Sequence, residues 1–425
     1  MPEETLAERL IAENLGRRDG VLHAGGLDLR GLAERHGTPL FVYDSGLMRR
    51  AYRDLSRAVA GFARVYYSVK ANPRPEVIRV FREEGAGAEV ASAAELRAAI
   101  AAGVPPESIL FAGPGKSDAD IAAAVAAGIA EIHLENREEA ARVAEAGRRH
   151  GRAVAVAIRV NPGAAAQGGA MRMGGKPSPF GFDEEELDEV ADAIEAEPAL
   201  RLTGLHLFAG TQGLSAPTLL AQWAYGLDLA ETLARRIGRP LETIDLGGGL
   251  GIPYFQGDAA LDLGALEAGV PSLAARAASD PLLAPARIVL EPGRFLVGGA
   301  GVYVARVRAV KLSRGSRFVV TDGGMHHHLA ASGNLGQIVK RDFPVVAVAE
   351  KAGAERSPAA VVGPLCTPLD MLARAAPLPE LKAGDLVAVL QSGAYALTAS
   401  PTGFLGHPPP AEVLVDAGRE IAIGA

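Results

Sequence analysis

Residues 87–136 read GAEVASAAELRAAIAAGVPPESILFAGPGKSDADIAAAVAAGIAEIHLEN, in which short apolar runs alternate with longer segments. The apolar runs begin at residues 87, 109 and 131, and another begins at Val65, so they recur about every 22 residues. The segments between them are rich in Ala, Glu and Arg and have the period of an amphipathic helix. Such short and regular spacing is typical of consecutive β/α units rather than of an open sheet with long excursions.

The same alternation extends from Ala63 to Arg294 and gives eight strand candidates. The helix candidates between them often open with a Ser, Asn or Asp cap and close with Gly. Eight units in series predict a closed (β/α)₈ barrel, and the alternative is a doubly wound sheet. The strand candidates are VYYSVK (65–70), GAEVAS (87–92), ILFAG (109–113), EIHLEN (131–136), AVAIRVNP (155–162), GLHLFAG (204–210), TIDLGGG (243–249) and RIVLEPGR (287–294).

After Arg294 the pattern changes to strand-like runs with turns between them and no long helix. These runs are VYVARVRAV, SRFVVTDGG, FPVVAVAE, AAVVGPLC, DLVAVLQSGAY and AEVLVDAG. The sequence therefore predicts an α/β barrel followed by an all-β domain. We expect residues 1–40 to form a segment that packs with the β domain, residues 41–295 to form the barrel, and residues 296–425 to form the β domain.

The composition is that of a globular protein, because 48% of the 425 residues are apolar and 22% are charged. The net charge of −7 comes without a basic stripe, so we expect no nucleic-acid partner. No run of about 18 uncharged apolar residues occurs, so we expect no membrane span. The N-terminus lacks the pattern of a signal peptide, and the lone Cys366 excludes an internal disulfide. Both features favour a cytoplasmic protein.

Polar residues at the carboxyl ends of several strands converge on one site in a barrel. This chain places such residues on or near five strand ends: Lys70, Glu89, His206, Asp245 and Glu291. A long loop, residues 161–182, follows the fifth strand at the same end of the barrel. Loops of this length in compact domains are often functional lids or disordered segments.

Each strong candidate also has a plain structural interpretation. Lys70 could extend from the barrel rim into solvent, or it could be a desolvated amine that attacks an aldehyde. Gly247–Gly249 could form a tight turn, or they could let backbone N–H groups approach a phosphate. Glu291 could pair with Arg294, or it could hold a pyridine nitrogen in its protonated form.

Two further features concern cysteine and histidine. A lone cysteine is most often a small core residue, but Cys366 lies in the Gly/Pro-rich loop GPLCTPLD, which favours an exposed, functional thiol. Three consecutive histidines, residues 326–328, would point to alternate faces of a strand, and no ligand spacing such as HxxxH accompanies them, so we expect no metal site. The glycine runs lack the spacing of a dinucleotide-binding motif.

Seven motifs occur in an order that resembles one family. They are YYSVKAN, GAEVASAAEL, GLHLFAGTQ, DLGGGLGIPY, EPGR, GPLCTPLD and SGAYALT. The chain resembles the fold-type III pyridoxal phosphate decarboxylases, which have an alanine racemase-like fold and include diaminopimelate, ornithine and arginine decarboxylases. The resemblance covers about residues 25–420. The segments MRMGGKPSPFGFD, TDGGMHHH and FLGHPPPAEVL are most similar to decarboxylases of natural-product pathways, including one that acts on carrier-tethered glutamate in butirosin assembly.

The resemblance implies a role for each motif residue. Lys70 would bind pyridoxal phosphate covalently, Glu291 would contact the pyridine nitrogen, and Cys366 would return a proton to the carbon that loses CO₂. The family's active sites are shared between two subunits, so a homodimer is implied, in which Cys366 comes from the partner. Residues near the cofactor would include Glu89, His206, Phe208, Thr211, Gly247, Gly248, Gly249, Gly293, Arg294 and Tyr395, and the substrate would contact Thr367 and Tyr395.

The chain also departs from the family pattern. Most relatives have a histidine at the position of Phe208, and His206 could take part of its place. The residue after the family's cysteine is usually acidic and binds a distal amine, whereas here it is Thr367. The stretch HHHLAASGNLG (326–336) replaces the Asn-Pro-Arg-Pro and Tyr groups of diaminopimelate decarboxylases.

The expected activity is decarboxylation of an α-amino acid unit in a biosynthetic pathway, on a free or a carrier-bound substrate. Neutral Thr367 favours a substrate with a neutral distal end, such as an aminoacyl thioester on a carrier protein. The loop of residues 161–182, with Arg172 and Lys176, would then meet the carrier or serve as a lid. The alternatives are a diaminopimelate- or ornithine-type decarboxylase, a racemase on the same scaffold, and a pyridoxal phosphate-binding regulator. Cys366, in place of the racemase's tyrosine, favours decarboxylation.

Overall fold

The computed structural model describes residues 4–163, 171–172, 177–208 and 210–424, with the backbone alone at 171–172. Half of the predicted lid loop, including Lys176, therefore lies outside the described residues. No helix in the described ranges is long and apolar enough to cross a membrane. The chain divides into two compact units, called here the barrel unit (Ala51–Ile252 and Ala260–Phe295) and the β unit (Met1–Arg50, Pro253–Ala259 and Leu296–Ala425).

Eight parallel strands of the barrel unit form a closed ring, in which each pairs with the next along the chain. The last of them pairs with the first, which closes the barrel. The predicted barrel is thereby confirmed, and the doubly wound alternative is excluded. The strands are Arg64–Ser68, Gly87–Val90, Ile109–Phe111, Glu131–Leu134, Val154–Asn161, Leu200–Leu207, Thr243–Asp245 and Arg287–Leu290.

Helices connect these strands, and their ends carry the predicted caps. The side chains of Ser92, Ser117 and Asn136 each accept a hydrogen bond from the backbone N–H three residues later. Gly128 ends one helix in the left-handed conformation, at φ 71°. The helices are Pro75–Glu83, Ala93–Ala101, Asp118–Ala127, Arg137–Arg149, Leu187–Glu195, Ala216–Ile237, Leu263–Ser279 and the short Arg294–Val297.

The barrel interior combines an apolar cluster with a set of buried polar side chains. Tyr66, Leu110 and Val289 form the apolar cluster. A Cβ atom at Gly87 would collide with the Tyr66 ring, so glycine at this position makes room for the aromatic ring. Buried polar side chains on the barrel strands include Glu89, Glu131, His133, Arg159, Thr203, His206 and Asp245.

The β unit is built on a strand-rich sheet, as predicted for the C-terminal part of the chain. The strands, in spatial order, are Met371–Leu378, Ser357–Val362, Ser316–Thr321, Gly301–Ser313, Leu40–Asp44, Ala411–Asp416 and Arg419–Ala422. Two more strands, Leu386–Val389 and Val345–Ala347, pair with each other, and the former also pairs with Gly301–Ser313.

The N-terminal part of the chain contributes to the β unit. The strand Leu40–Asp44 pairs antiparallel with residues 301–304 and parallel with residues 411–415. A small sheet and two helices precede it, and Ser45–Ala58 follows it. Leu6, Leu10, Leu29 and Leu32 from these two helices pack in one apolar core with Val302, Val304, Val413 and Val415. The small sheet consists of Arg17–Arg18, Val21–Ala24 and Leu27–Asp28, and the preceding helices are Leu6–Asn14 and Leu29–His36.

Candidate active site

Lys70 lies directly after the first barrel strand, in the single 3₁₀ turn Val69–Ala71. Its amine lies 3.0 Å from Glu89 Oε2 and 3.1 Å from Glu89 Oε1, on the neighbouring strand. Ser68 donates a hydrogen bond to the same carboxylate. The Lys70 side chain is 46% exposed, whereas that of Glu89 is 1% exposed. The buried carboxylate therefore holds a reachable amine at the rim of the barrel.

Gly247–Gly249 form a turn that only glycine permits. Gly247 and Gly249 have φ values of 71° and 86°, in the left-handed region. Cβ atoms at these three positions would collide with the carbonyl oxygens of Leu207, Glu291 and Gly210, respectively. The turn therefore lies against the ends of two other strands. The glycines are therefore required by close packing against neighbouring backbone, and left-handed turns of this kind can bind an anion through their N–H groups.

The remaining predicted residues of the barrel unit lie around this turn. Phe208 directly follows the strand Leu200–Leu207, and its ring edge would lie 3.2 Å from a Cβ atom at Gly247. Thr211 lies on the short strand Gly210–Thr211, which pairs with Met171–Arg172. Gly293 packs against the turn that holds Lys70, since a Cβ atom there would lie 2.8 Å from Ala71 Cβ. Arg294 begins the short helix after the last strand.

Glu291 directly follows the last barrel strand and belongs to a buried group of ionisable side chains. His133, His206, Asp245 and Glu291 each have a nitrogen or oxygen atom within 4.8 Å of those of the others. His206 Nε2 lies 3.5 Å from Glu291 Oε2. His133 Nε2 lies 3.2 Å from Glu131 Oε1 and 4.0 Å from Asp245 Oδ2. We call His133, His206, Asp245 and Glu291 the buried quartet.

The two carboxyl groups of the quartet have pKa values that are shifted in opposite directions. Burial, and then the charge of Glu291, raise the pKa of Asp245 well above its ordinary value. Burial by itself raises the pKa of Glu291, but contacts with His206 and a hydrogen bond with Asp245 bring it below its ordinary value. Burial lowers the pKa of His206 to about 4, so its ring is neutral.

Cys366, Thr367 and Tyr395 belong to the β unit. Cys366 is exposed, and the next residue, Thr367, is half-buried. The Thr367 backbone N–H donates to Leu365 O at 2.9 Å, and the Thr367 hydroxyl accepts from Leu369 N at 3.3 Å. Tyr395 has a φ of 52°, which is unusual for a residue with a side chain.

The three consecutive histidines are also in the β unit, but they are not on a strand. The preceding strand ends at Thr321, and all three rings are buried rather than divided between two faces. His327 contacts the Tyr303 hydroxyl at 3.2 Å, and His328 contacts the Ser392 hydroxyl at 3.0 Å. The expected strand position is therefore wrong, because the DGGM segment turns the chain before the histidines.

Comparison with known proteins identifies the family. The model of the pyridoxal-binding domain of pyridoxal-dependent decarboxylases matches residues 46–298. The chain belongs to this family. This decarboxylase is 39% identical to the L-glutamyl-[BtrI acyl-carrier protein] decarboxylase of Niallia circulans over 390 residues, which cover 91% of each protein. It is 32% identical to diaminopimelate decarboxylase of Aquifex aeolicus, over 94% of this chain and 92% of that protein.

A solved structure also matches the whole decarboxylase. The crystal structure of AQ1208 from Aquifex aeolicus has a TM-score of 0.85 and 31% identity, and the match covers 97% of this chain and 95% of that one. The family predicted from the seven motifs is thereby confirmed. The protein is a pyridoxal phosphate-dependent amino acid decarboxylase.

The barrel-unit residues fit pyridoxal phosphate. Glu291 Oε1 is buried and has no hydrogen-bond partner within the described part of the chain, so it can accept the proton of a pyridine nitrogen. The Gly247–Gly249 turn contains two left-handed glycines, and turns of this kind can bind a phosphate through backbone N–H groups. Lys70 provides a reachable amine. These groups match three parts of the cofactor: the carboxylate matches the ring nitrogen, the glycine turn matches the phosphate, and the amine matches the aldehyde.

Several buried residues near this site are absent from the sequence-based set. His133 and Glu131 lie on the fourth strand, and Arg159 on the fifth donates to Glu135 at 2.6 Å. The alternation in EIHLEN is a signal that could have identified them, because a period of two places Glu131, His133 and Glu135 on one face of the strand. Three polar side chains facing the barrel interior indicate more than a packed core.

Proposed function

We propose that this decarboxylase acts on an aminoacyl group carried as a thioester on an acyl carrier protein, in a cytoplasmic biosynthetic pathway. The relative from Niallia circulans, which is named for a glutamyl-carrier substrate, supports the proposal. The observation that carries it is Thr367, the neutral residue after Cys366. The Thr367 hydroxyl accepts from Leu369 N at 3.3 Å and bears no charge.

A distal ammonium group in a partly desolvated pocket needs a carboxylate partner. Leaving that charge unpaired costs on the order of several kcal/mol, so a hydroxyl at position 367 selects against free diamino acids. The stretch HHHLAASGNLG likewise has no arginine that could clamp the distal carboxylate of diaminopimelate. An amino acid whose side-chain end is a thioester has neither charge, so it fits both departures from the family pattern.

We assign the chemistry to the following residues. Lys70 binds the cofactor, and Glu89 keeps its amine at the barrel rim through the 3.0 Å ion pair. Glu291 holds the ring nitrogen, and the Gly247–Gly249 turn, Thr211, Arg294 and Tyr395 hold the phosphate. Bound pyridoxal phosphate supplies the electron sink that makes loss of CO₂ possible. Anionic Glu291 favours that step because it stabilises positive charge on the ring nitrogen.

Cys366 then delivers a proton to the carbon that lost CO₂. We propose that it does so from the partner subunit of a homodimer. Its exposure supports this role, because a thiol that serves another subunit must lie at the surface of its own chain. The product is an amine because the proton takes the place of the lost carboxylate, and a single thiol on one side adds that proton to one face of the carbon.

The function is tested by mass spectrometry of an intact glutamyl-loaded carrier protein after incubation with the holoenzyme. We expect the carrier to lose the mass of one CO₂, and we expect the Lys70→Ala variant to leave it unchanged. Release of CO₂ from free ornithine or diaminopimelate under the same conditions, with an unaltered carrier, would contradict the proposal.

The role of Thr367 is tested separately with two variants of similar size. Thr367→Glu should increase CO₂ release from free ornithine, because the new carboxylate can pair with the distal ammonium, whereas Thr367→Gln should not. Equal responses of the two variants would show that position 367 does not face the distal group.

A further inference from the structure

Three members of the buried quartet, His133, His206 and Asp245, have no part in the chemistry assigned above. The quartet's side chains come from four different barrel strands or strand ends, and all four are almost fully buried. The rings of His133 and His206 lie 4.5 Å apart at an angle of 44°. Their arrangement is therefore fixed by the barrel and does not depend on a mobile loop.

The quartet is rich in atoms without partners. Within the described residues, five buried atoms have no hydrogen-bond partner: His133 Nδ1, both His206 ring nitrogens, Asp245 Oδ2 and Glu291 Oε1. Each unsatisfied buried polar atom lowers the stability of the folded protein by about 1–3 kcal/mol. Packing alone therefore does not explain why five such atoms lie in one cluster. The cofactor's ring nitrogen accounts for one of these atoms, Glu291 Oε1. The others belong to the three side chains around Glu291.

We infer that the buried quartet is a single protonation unit, in which His133 is a positioning residue that keeps Glu291 anionic toward the cofactor's ring nitrogen. The inference rests on the cofactor of the family and is independent of the substrate proposed above.

The barrel interior holds several carboxyl groups close together, and this limits how many of them can be negatively charged at once. Asp245 Oδ1 accepts from Gly247 N at 2.8 Å, so this side chain also links the quartet to the glycine turn. His133 Nε2 stands between two carboxyl groups, at 3.2 Å from Glu131 and 4.0 Å from Asp245. An N–H group there offsets negative charge on both. We expect that, without it, the interior accepts an additional proton at higher pH. Glu291 is the expected site, because His133 is among the neighbours that lower the Glu291 pKa and lies with it in the quartet.

Other charged and titratable groups act on the quartet from the surrounding strands. Glu131 also accepts from the Thr203 hydroxyl at 2.6 Å, which leaves it hydrogen-bonded when His133 is replaced. The groups that act on quartet members from the neighbouring strands are Glu89, Glu131, Arg159, Tyr66 and Glu135. None of these groups is replaced in the variants described below. A change in the midpoint of the spectral transition in His133→Asn is therefore caused by the loss of His133.

The test measures the absorption spectrum of bound pyridoxal phosphate against pH in the holoenzyme. His133→Asn should move the midpoint of the spectral transition upward by roughly one pH unit. The matched control is Ile132→Val, a buried neighbour on the same strand that points to the opposite face, and it should leave the midpoint where it is in the wild type. Thermal unfolding of each holoenzyme verifies that the variants fold.

A double-variant cycle distinguishes a coupled unit from a structural effect. Glu291→Gln combined with His133→Asn should show the midpoint of Glu291→Gln alone, because the coupling runs through Glu291. An unshifted midpoint in His133→Asn, or shifts that simply add in the double variant, would overturn the inference. If Glu291→Gln retains no cofactor, the midpoint of His133→Asn compared with that of Ile132→Val decides the question.

The same four atoms are close enough to hold a metal ion, which gives a second way to refute the inference. Apoenzyme is titrated with Zn²⁺, in the wild type and in His133→Asn. Binding of one equivalent that disappears in His133→Asn would mean that the quartet is a metal site. Absence of zinc binding that depends on His133 supports the protonation unit.

Discussion

The amine of Lys70 lies 3.0 Å from the carboxylate of Glu89, which is on the next strand of the barrel. Glu89 is buried, whereas nearly half of the Lys70 side chain is exposed. The buried carboxylate therefore holds a charged amine in position at the surface of the barrel. Such a pair keeps the lysine in one place before the cofactor arrives. It also distinguishes Lys70 from exposed lysines such as Lys311.

Replacement of this lysine gives the first prediction. Lys70→Ala should abolish the covalent link to pyridoxal phosphate that borohydride fixes on the wild-type protein, and with it the yellow colour of the purified enzyme. Lys311→Ala, an exposed strand position, should leave both unchanged. Peptide mapping of the reduced protein provides the measurement. A fixed adduct on Lys70→Ala would mean that a different lysine binds the cofactor.

Asp370 is predicted to position the cysteine loop. Its carboxylate accepts from Leu365 N at 2.8 Å and from Met325 N at 2.6 Å, so it joins the loop before Cys366 to the GGM turn. Asn can satisfy only one of these donors, and losing the other costs about 1–3 kcal/mol. Asp370→Asn should lower both the melting temperature and kcat, with cofactor binding retained.

The matched control for this prediction is Asp385→Asn. Asp385 accepts one backbone hydrogen bond, from Lys382 N at 2.8 Å, in a partly exposed turn. It should change kcat little. A kcat for Asp370→Asn equal to that of the wild type would show that Cys366 does not depend on this carboxylate.

Shared active sites predict complementation between inactive subunits. Lys70→Ala and Cys366→Ala homodimers should each be inactive, and mixing them under conditions of subunit exchange should restore activity. Random exchange makes half of the dimers mixed, and each has one intact site of two, so recovery should be about a quarter of the wild type. No recovery despite demonstrated exchange would place both groups in one subunit's site.

Buried histidines predict that the protein loses stability in mild acid. Burial lowers the pKa of His328 to about 3, from an ordinary value of 6.5. The unfolded chain therefore binds a proton that the folded chain rejects, so the free energy of unfolding falls as pH drops below 6.5. Between pH 7 and pH 5 this single group should account for about 2 kcal/mol.

Urea unfolding at the two pH values tests this prediction. In His328→Asn the loss of stability between pH 7 and pH 5 should be smaller by that amount. His150→Asn is the control, since the His150 ring is exposed in the folded chain. An unchanged pH dependence in His328→Asn would mean that the buried ring takes up a proton without unfolding.

Most of the barrel could be predicted from the sequence because its strands repeat regularly. All eight strands occur where expected, although Leu200–Leu207 begins four residues before the predicted start at Gly204. A register shift between Leu202 and Gly204 interrupts the pattern of this strand, so its first residues were not predicted to belong to it. The β unit was harder: Met371–Leu378 was missed because its alanines and Pro377 are atypical of a strand. It lies at a sheet edge, where proline is tolerated.

The candidate site likewise contains residues that could be predicted from the sequence and others that could not. Lys70, Glu89 and Glu291 were predictable because each follows or ends an apolar run of the barrel pattern. His133 was not singled out, because a lone histidine in a strand is most often a satisfied core residue. Its significance comes from four strands that bring His206, Asp245 and Glu291 to it, and no single segment of the sequence contains that relationship.

Steady-state kinetics decide whether the enzyme prefers a carrier-bound aminoacyl substrate. The comparison is kcat/KM for glutamyl and related aminoacyl groups on a carrier protein against kcat/KM for free ornithine, lysine and diaminopimelate. We expect at least one carrier-bound substrate to have a higher kcat/KM than every free amino acid. A free diamino acid that equals or exceeds all carrier-bound substrates would contradict it.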